Sequence, residues 1–100
     1  MPIANVEEDG SWIKVYDEDS KRISQMSSSG VTVVGIASDF FVTEEGAWIK
    51  TYDEKCRKIA QMGSSNIEVR GASGGTFTTK EGPWIKTYDS HCKRLSQRGA

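Results

Sequence analysis

The chain repeats one short stretch three times, and residues 46–53 show it as Gly-Ala-Trp-Ile-Lys-Thr-Tyr-Asp. The same stretch, with small changes, occupies 10–17 and 82–89, so its tryptophan recurs every 36 residues. A period of this length is typical of repeat folds, in which each copy packs on its neighbours to bury its apolar faces. The stretch therefore predicts a repeat architecture.

The second and third copies align without a gap. Residues 31–64 and 67–100 share 15 identities in 34 positions, which indicates duplication. The first copy begins at about Ile3 and lacks the opening segment of the other two. We therefore divide a single domain, 1–100, into a truncated first unit and two full units, at 1–30, 31–66 and 67–100.

Each segment within a unit is short, rich in β-branched and aromatic residues, and bounded by Gly, Ser, Asn or Asp, which is typical of strands. Short connections between such segments favour antiparallel hairpins. We predict four strands in each full unit, which in the second unit are 31–36, 40–43, 48–52 and 58–62. The predicted class is all-β, with three tandem antiparallel meander repeats of about 36 residues, the first of them truncated.

The third strand of the second unit has large apolar groups on both faces. Side chains alternate along a strand, so Trp48, Lys50 and Tyr52 point one way while Ile49 and Thr51 point the other. A sheet with one wet face would show a cleaner polar side. We therefore expect neighbouring units, or a second chain, to cover each sheet on both sides and to shelter the tryptophans around a shared axis.

Composition excludes several classes of function. The net charge of -1 lacks the basic excess of a dedicated nucleic-acid-binding module, and no apolar run is long enough to span a bilayer. We expect neither nucleic acid nor membrane as a partner. The opening residues, 1–10, are polar and acidic, so we expect no secretory signal and a cytoplasmic location.

The cysteines do not predict a disulfide or a metal site. Cys56 and Cys92 occupy equivalent turns, where the first unit has Ser20, and equivalent turns around an axis are usually too far apart for a bridge. Two isolated cysteines and the single His91 do not give the ligand spacing of a zinc site. We expect free thiols, no metal and no cofactor. Because polar residues are spread once per repeat, we also expect no enzymatic activity.

Residues 13–17, Ile-Lys-Val-Tyr-Asp, followed by Lys21 and Ile23, resemble the last two strands of a WD40-type β-propeller blade. Tyr stands where that family usually has Trp before the Asp, and its Gly-His pair is missing. Since a propeller takes at least four blades, the resemblance implies an assembly, most simply a dimer that contributes six.

Residues 8–16, Glu-Asp-Gly-Ser-Trp-Ile-Lys-Val-Tyr, are loosely similar to the Gln-x-Asp-x-Asn-x-Val-x-Tyr motif of β-prism II mannose-binding lectins. That resemblance implies a pseudo-threefold prism with a four-stranded sheet on each side. The Gln and Asn that would hold the sugar are missing in all three units, so mannose binding is not implied. The sequence leaves the blade and prism arrangements open.

Each unit offers two aromatic residues, one aspartate and one glutamine at equivalent positions. The carboxylate can fix the following turn through backbone N–H groups, or can pair with Lys21, Arg57 or Lys93 in a polar pocket. The aromatic rings are either core or stacking platforms for a sugar, and the glutamine can tie strands or bind a ligand hydroxyl. The candidate ligand-binding residues are Trp12, Trp48, Trp84, Tyr16, Tyr52, Tyr88, Asp17, Asp53, Asp89, Gln25, Gln61 and Gln97.

Two functions from different classes fit these observations. The first is a non-catalytic, lectin-like binding module with one shallow site per repeat, which gains strength through multivalency and has carbohydrate as a possible ligand. The second is a structural or protein-interaction domain that self-associates, because the truncated unit leaves a sheet edge that invites pairing. The open edge predicts a homodimer or a higher oligomer.

Overall fold

The structure, a computed structural model, describes residues 3–99; the outermost ends of the first and third predicted units, at 1–2 and 100, lie outside that range. All regular structure in the described range is strand. The strands are β1 Asn5–Asp9, β2 Trp12–Tyr16, β3 Arg22–Ser27, β4 Thr32–Ile36, β5 Phe40–Glu45, β6 Trp48–Asp53, β7 Lys58–Gly63, β8 Ile67–Ser73, β9 Thr76–Glu81, β10 Trp84–Asp89 and β11 Arg94–Gly99.

The strands form three antiparallel sheets, each a meander in chain order: sheet 1 is β1-β2-β3, sheet 2 is β4-β5-β6-β7, and sheet 3 is β8-β9-β10-β11. The predicted all-β class with three repeated units is confirmed. The predicted strands of the second unit also agree with β4 to β7, with small differences at their ends. The three strands of sheet 1 correspond to β5, β6 and β7 of sheet 2.

Two kinds of turn shape every unit. A two-residue hairpin precedes each tryptophan, and its glycine (Gly10, Gly46 or Gly82) has a φ of 61°, a conformation that glycine adopts without steric cost. The second turn follows the tyrosine strand and ends in a residue with a φ near 60°, which is Ser20, Cys56 or Cys92. The ladder of each unit is offset by a bulge beside this second turn, as between Thr51 and Tyr52.

Sheets 1 and 2 pack face to face through one apolar cluster. Ile13 and Val15 of sheet 1 are fully buried against Phe41 and Tyr52 of sheet 2. The rings of Phe41 and Tyr52 are stacked, with centroids 5.4 Å apart. Ile3 adds to this cluster, and its backbone N–H bonds to the carbonyl of Ser38 at 2.6 Å. The start of the first unit is therefore fastened to sheet 2.

Sheets 2 and 3 pack through a second cluster on the opposite face of sheet 2. Phe40, Val42 and Ile49 of sheet 2 lie against Phe77 and Tyr88 of sheet 3. Phe40 meets Phe77 edge to face, with ring centroids 6.2 Å apart. Sheet 2 is thus covered on both faces, as its alternating pattern predicts.

The sheets therefore stack in series, with a separate cluster between each pair. The opening strands β4 and β8 approach closely, since a Cβ added at Gly35 would lie 3.1 Å from the Cβ of Ala72. The structure therefore shows the three-sheet antiparallel repeat architecture that the blade and prism arrangements have in common.

Candidate functional site

Three half-exposed tryptophans mark equivalent positions in the three sheets. Trp12, Trp48 and Trp84 are 45 %, 46 % and 44 % exposed, and we call this row the tryptophan rim. The expectation that the indoles are sheltered in the shared core is wrong. Each indole follows the glycine hairpin as the first residue of its strand, so it lies at the end of the sheet, beyond the fully buried layer of Ile13 and Ile49.

The residues across the ladder leave the indoles open. On the outer strand of each sheet, the position directly opposite the tryptophan carries a small residue: Ser27, Gly63 or Gly99. Residues directly opposite each other share a face and are close neighbours. With no side chain at Gly63 or Gly99, much of the indole surface stays accessible from the outer edge.

A lysine and a glutamine share the face of each indole. Lys50 lies two residues after Trp48 and directly opposite Gln61, which places all three side chains on one side of sheet 2. The Gln61 Oε1 accepts a bond from Nζ of Lys58 at 3.1 Å. Gln25 and Gln97 accept the equivalent bond from Arg22 and Arg94, at 3.1 and 2.9 Å. The structure therefore brings the predicted Trp and Gln residues together, with hydrogen-bonding groups beside each indole.

A partly buried carboxylate anchors this face in sheet 2. Glu45 Oε2 accepts bonds from the hydroxyls of Tyr52 and Thr43, at 2.6 and 2.7 Å, and its Oε1 accepts one from Nζ of Lys50 at 3.3 Å. Burial alone would raise the pKa of Glu45, but these three donors hold it below its usual range. The network fixes the lysine stem beside Trp48.

Sheet 3 repeats this network around Glu81. Its carboxylate accepts bonds from Tyr88 at 2.6 Å, Thr79 at 2.8 Å and Lys86 at 3.1 Å. Burial and the Glu81 carboxylate raise the pKa of Tyr88 to about 12. Tyr88, like Tyr52, is a core residue whose hydroxyl is already engaged, so neither presents a free platform to a ligand.

The first unit departs from this pattern. Asp9 replaces the glutamate and pairs with Lys14, Nζ to Oδ2, at 2.8 Å, while Asn5 stands where sheets 2 and 3 have a phenylalanine. Without that ring, Tyr16 is only half-buried and borders a pocket of about 270 Å³, together with Asn5 and Glu7. Of the three predicted tyrosines, Tyr16 is the accessible one.

The three aspartates fix turns and lie away from the rim. Asp53 Oδ1 accepts the backbone N–H groups of Lys55 and Arg57, both at 2.9 Å, and its Oδ2 pairs with Nε of Arg57 at 2.9 Å. Asp17 and Asp89 accept the same two backbone bonds in their own turns. The predicted turn role is confirmed. Each aspartate follows the far end of the strand that begins with the indole, so the structure separates the Asp set from the Trp and Gln set.

The two thiols and the histidine lie in the turns that follow the tyrosine strands. Cys56 and Cys92 are free, as predicted, and burial raises the pKa of both thiols, which disfavours the reactive thiolate. His91 is an exposed turn residue. Among residues 3–99, no three His, Cys, Asp or Glu side chains are placed to hold a metal ion, and no helix there could cross a membrane.

The sequence interpretation missed the acid that organises each indole. Glu45 and Glu81 were visible as a repeated Thr-x-Glu pattern before the glycine hairpin, 36 residues apart. The hairpin register places that acid opposite the tryptophan, and the lysine two residues further along completes the ion pair. A hairpin alignment of the repeat would have found the network.

The chain matches no protein-family model and no curated protein. Its function is therefore argued from the geometry of the tryptophan rim.

Proposed function

We propose that this protein is a non-catalytic binding module that uses the tryptophan rim to bind an extended carbohydrate chain. The observation that carries the proposal is the half-exposed indole repeated at the same place in three stacked sheets. An indole presents a large apolar face on which the C–H face of a sugar ring can stack. Leaving three such side chains exposed at equivalent positions is costly for a domain of 100 residues unless they are used.

The polar groups beside each indole suit a sugar. The lysine ammonium donates hydrogen bonds, and the glutamine amide both donates and accepts them. Because the lysines of sheets 2 and 3 are held by Glu45 and Glu81, a ligand meets groups that are already oriented. An ion-paired lysine also gives little net charge, which favours a neutral ligand over a strongly anionic one.

The spacing of the sites favours a polymer. Sheets packed face to face lie about 10 Å apart, so successive indoles are separated by roughly one sheet spacing. A single exposed indole gives a weak site, but a chain that reaches two or three of them gains by effective concentration. The blade-like arrangement and the resemblance to a WD40-type blade agree with a binding surface built from repeats, and the two free thiols are typical of a cytoplasmic protein.

The test is a glycan array followed by titration of any bound oligosaccharide. We expect affinity to rise with chain length, and Trp48→Ala to weaken binding about tenfold or more, since a lost ring stack costs on the order of 1.4 kcal/mol. Ile36→Ala is the matched control, because it removes an exposed apolar side chain at the other end of the strands. Absence of binding to any oligosaccharide, or equal affinity in Trp48→Ala, would contradict the proposal.

A further inference from the structure

Within residues 3–99, sheets 1 and 3 each keep one face that no other sheet covers. The front face is the outer side of sheet 1, with Asn5, Glu7 and Tyr16. It corresponds to the side of sheets 2 and 3 that packs against the preceding sheet. The back face is the outer side of sheet 3, with Thr76 and Lys80 among its residues. It corresponds to the side of sheets 1 and 2 that packs against the following sheet.

The two end units carry opposite charge. The first unit, 1–30, has six acidic and three basic residues, and the third unit, 67–100, has three acidic and six basic residues. The chain is therefore nearly neutral overall but strongly polarised from end to end. Complementary charge of this kind steers the front end of one molecule towards the back end of another.

Residues that meet in the internal interfaces have polar counterparts at the ends. Phe40 of sheet 2 packs on Phe77 of sheet 3, with ring centroids 6.2 Å apart. One repeat further along, Thr76 holds the position of Phe40, and Asn5 holds the position of Phe77. A head-to-tail contact would place a hydroxyl opposite a carboxamide, and this pair can hydrogen-bond where the internal pair is apolar.

Each internal interface also has one hydrogen bond from a sheet hydroxyl to the turn of the next unit. Ser24 Oγ donates to the carbonyl of Glu54 at 2.6 Å, and Thr51 Oγ1 donates to the carbonyl of Ser90 at 2.6 Å. The back face carries the equivalent donor in Thr87, which is Thr51 advanced by one repeat.

The acceptor is present at the other end of the chain. The carbonyl of Glu18 holds the position that corresponds to the carbonyls of Glu54 and Ser90 in the same turn. A head-to-tail contact therefore has the acceptor position that serves both internal interfaces and, in Thr87, the counterpart of the donor Thr51.

A charged pair completes the match. Glu8 of sheet 1 reaches β4, where its Oε1 accepts the backbone N–H of Val33 at 3.4 Å. Lys80 is the counterpart of Glu8 two repeats on, and sheet 1, as described over residues 3–99, has no counterpart of β4 to contact it. The first strand of sheet 1 is β1, which corresponds to β5 of sheet 2. Glu7 of β1 has the position that Thr43 has in β5, and Thr43 is the ladder partner of Val33. Lys80 of one copy therefore approaches Glu7 of the other.

From these matches we infer that a second copy of this chain docks head to tail, front face on back face, and that two such contacts close a ring of two chains. Heterologous contacts of this kind close a ring when the rotation permits and otherwise build a filament. Two chains supply six sheets, which lies within the range of closed propellers. The contact pairs opposite charges, so the ring is sensitive to salt.

Sedimentation velocity over a concentration series, up to about 100 µM, tests this inference. We expect a monomer–dimer equilibrium of the 11.0 kDa chain that weakens in high salt. Glu7→Lys and Lys80→Glu should each weaken the dimer about tenfold or more, because each juxtaposes like charges. The double variant should return to within about threefold of the original affinity. Lys55→Glu, at an exposed turn of the middle unit, is the matched control.

Several outcomes would overturn the inference. A monomer throughout the series at low salt would show that the polar faces are caps, as in the terminal repeats of other stacked proteins. A dimer that tolerates both charge reversals would use another surface, and mass growing beyond the dimer would mean a filament. Far-ultraviolet dichroism confirms that each variant keeps the fold. Because the assay contains no sugar, failure here leaves the proposed carbohydrate binding intact, and the reverse also holds.

Discussion

The side of sheet 2 that packs on sheet 3 and the outer side of sheet 3 are built from the same repeat positions, but the first is the more apolar of the two. Phe40 and Val42 are fully buried in sheet 2, and their counterparts are Thr76 and Thr78 in sheet 3. The opposite end shows the same change, where Asn5 replaces the phenylalanine of the other units. The repeat positions are therefore shared by the two faces, while the outer face of sheet 3 has hydroxyl side chains where sheet 2 has the buried Phe40 and Val42.

Substitutions that exchange residues between these two faces should have the largest effect on the free energy of unfolding. Phe40→Thr places in the internal interface the residue that sheet 3 has at the equivalent position of its outer face. We expect it to lower the free energy of unfolding by about 3 kcal/mol, since it removes a fully buried ring and leaves a cavity. Thr76→Ala, at the same position on the outer face, should cost less than about 1 kcal/mol in a monomer. Urea unfolding at low protein concentration measures both changes in stability. Equal losses in the two variants would contradict the distinction between the internal and the outer face.

The tyrosines give a second matched pair. Tyr52→Phe removes a hydroxyl bonded to the partly buried carboxylate of Glu45 and should cost about 1.5 kcal/mol. Tyr16→Phe, beside the open pocket of the first unit, should be close to neutral. The difference between the two urea midpoints checks the network around Glu45, and a large loss in Tyr16→Phe would contradict the distinction between the end sheet and the middle sheet.

The smallest effect concerns pH. The pKa values of Glu45 and Glu81 are lowered, so the stability from their networks is fully present above about pH 5 and is lost as pH falls through the folded-state values. Glu45→Gln combined with Glu81→Gln should flatten the acid side of the stability profile relative to the unmodified protein. Glu44→Gln, an exposed neighbour, is the control. A stability profile unchanged by the paired substitutions would show that the two networks do not contribute to the pH dependence of stability.

The sequence predicted the repeats and strands well because these depend on local patterns. The glycine hairpins, the alternation in 48–52 and the turn role of the aspartates follow from short-range geometry, and the structure confirms them. The exposure of Trp48 was not predictable from hydrophobicity, because it depends on the indole lying at the sheet end. The Glu45 network needed the hairpin register, which pairs Glu45 with Trp48 and Thr43 with Lys50.

The three sheets stack in series, with their indoles on a common open rim. Quenching of the native tryptophan fluorescence by acrylamide, compared with the unfolded chain, tests it most directly. With exposures of 44 to 46 %, we expect every indole to be quenched in the native protein, at about half the efficiency seen after unfolding. Native fluorescence that resists acrylamide would place the tryptophans inside the stack and contradict the account.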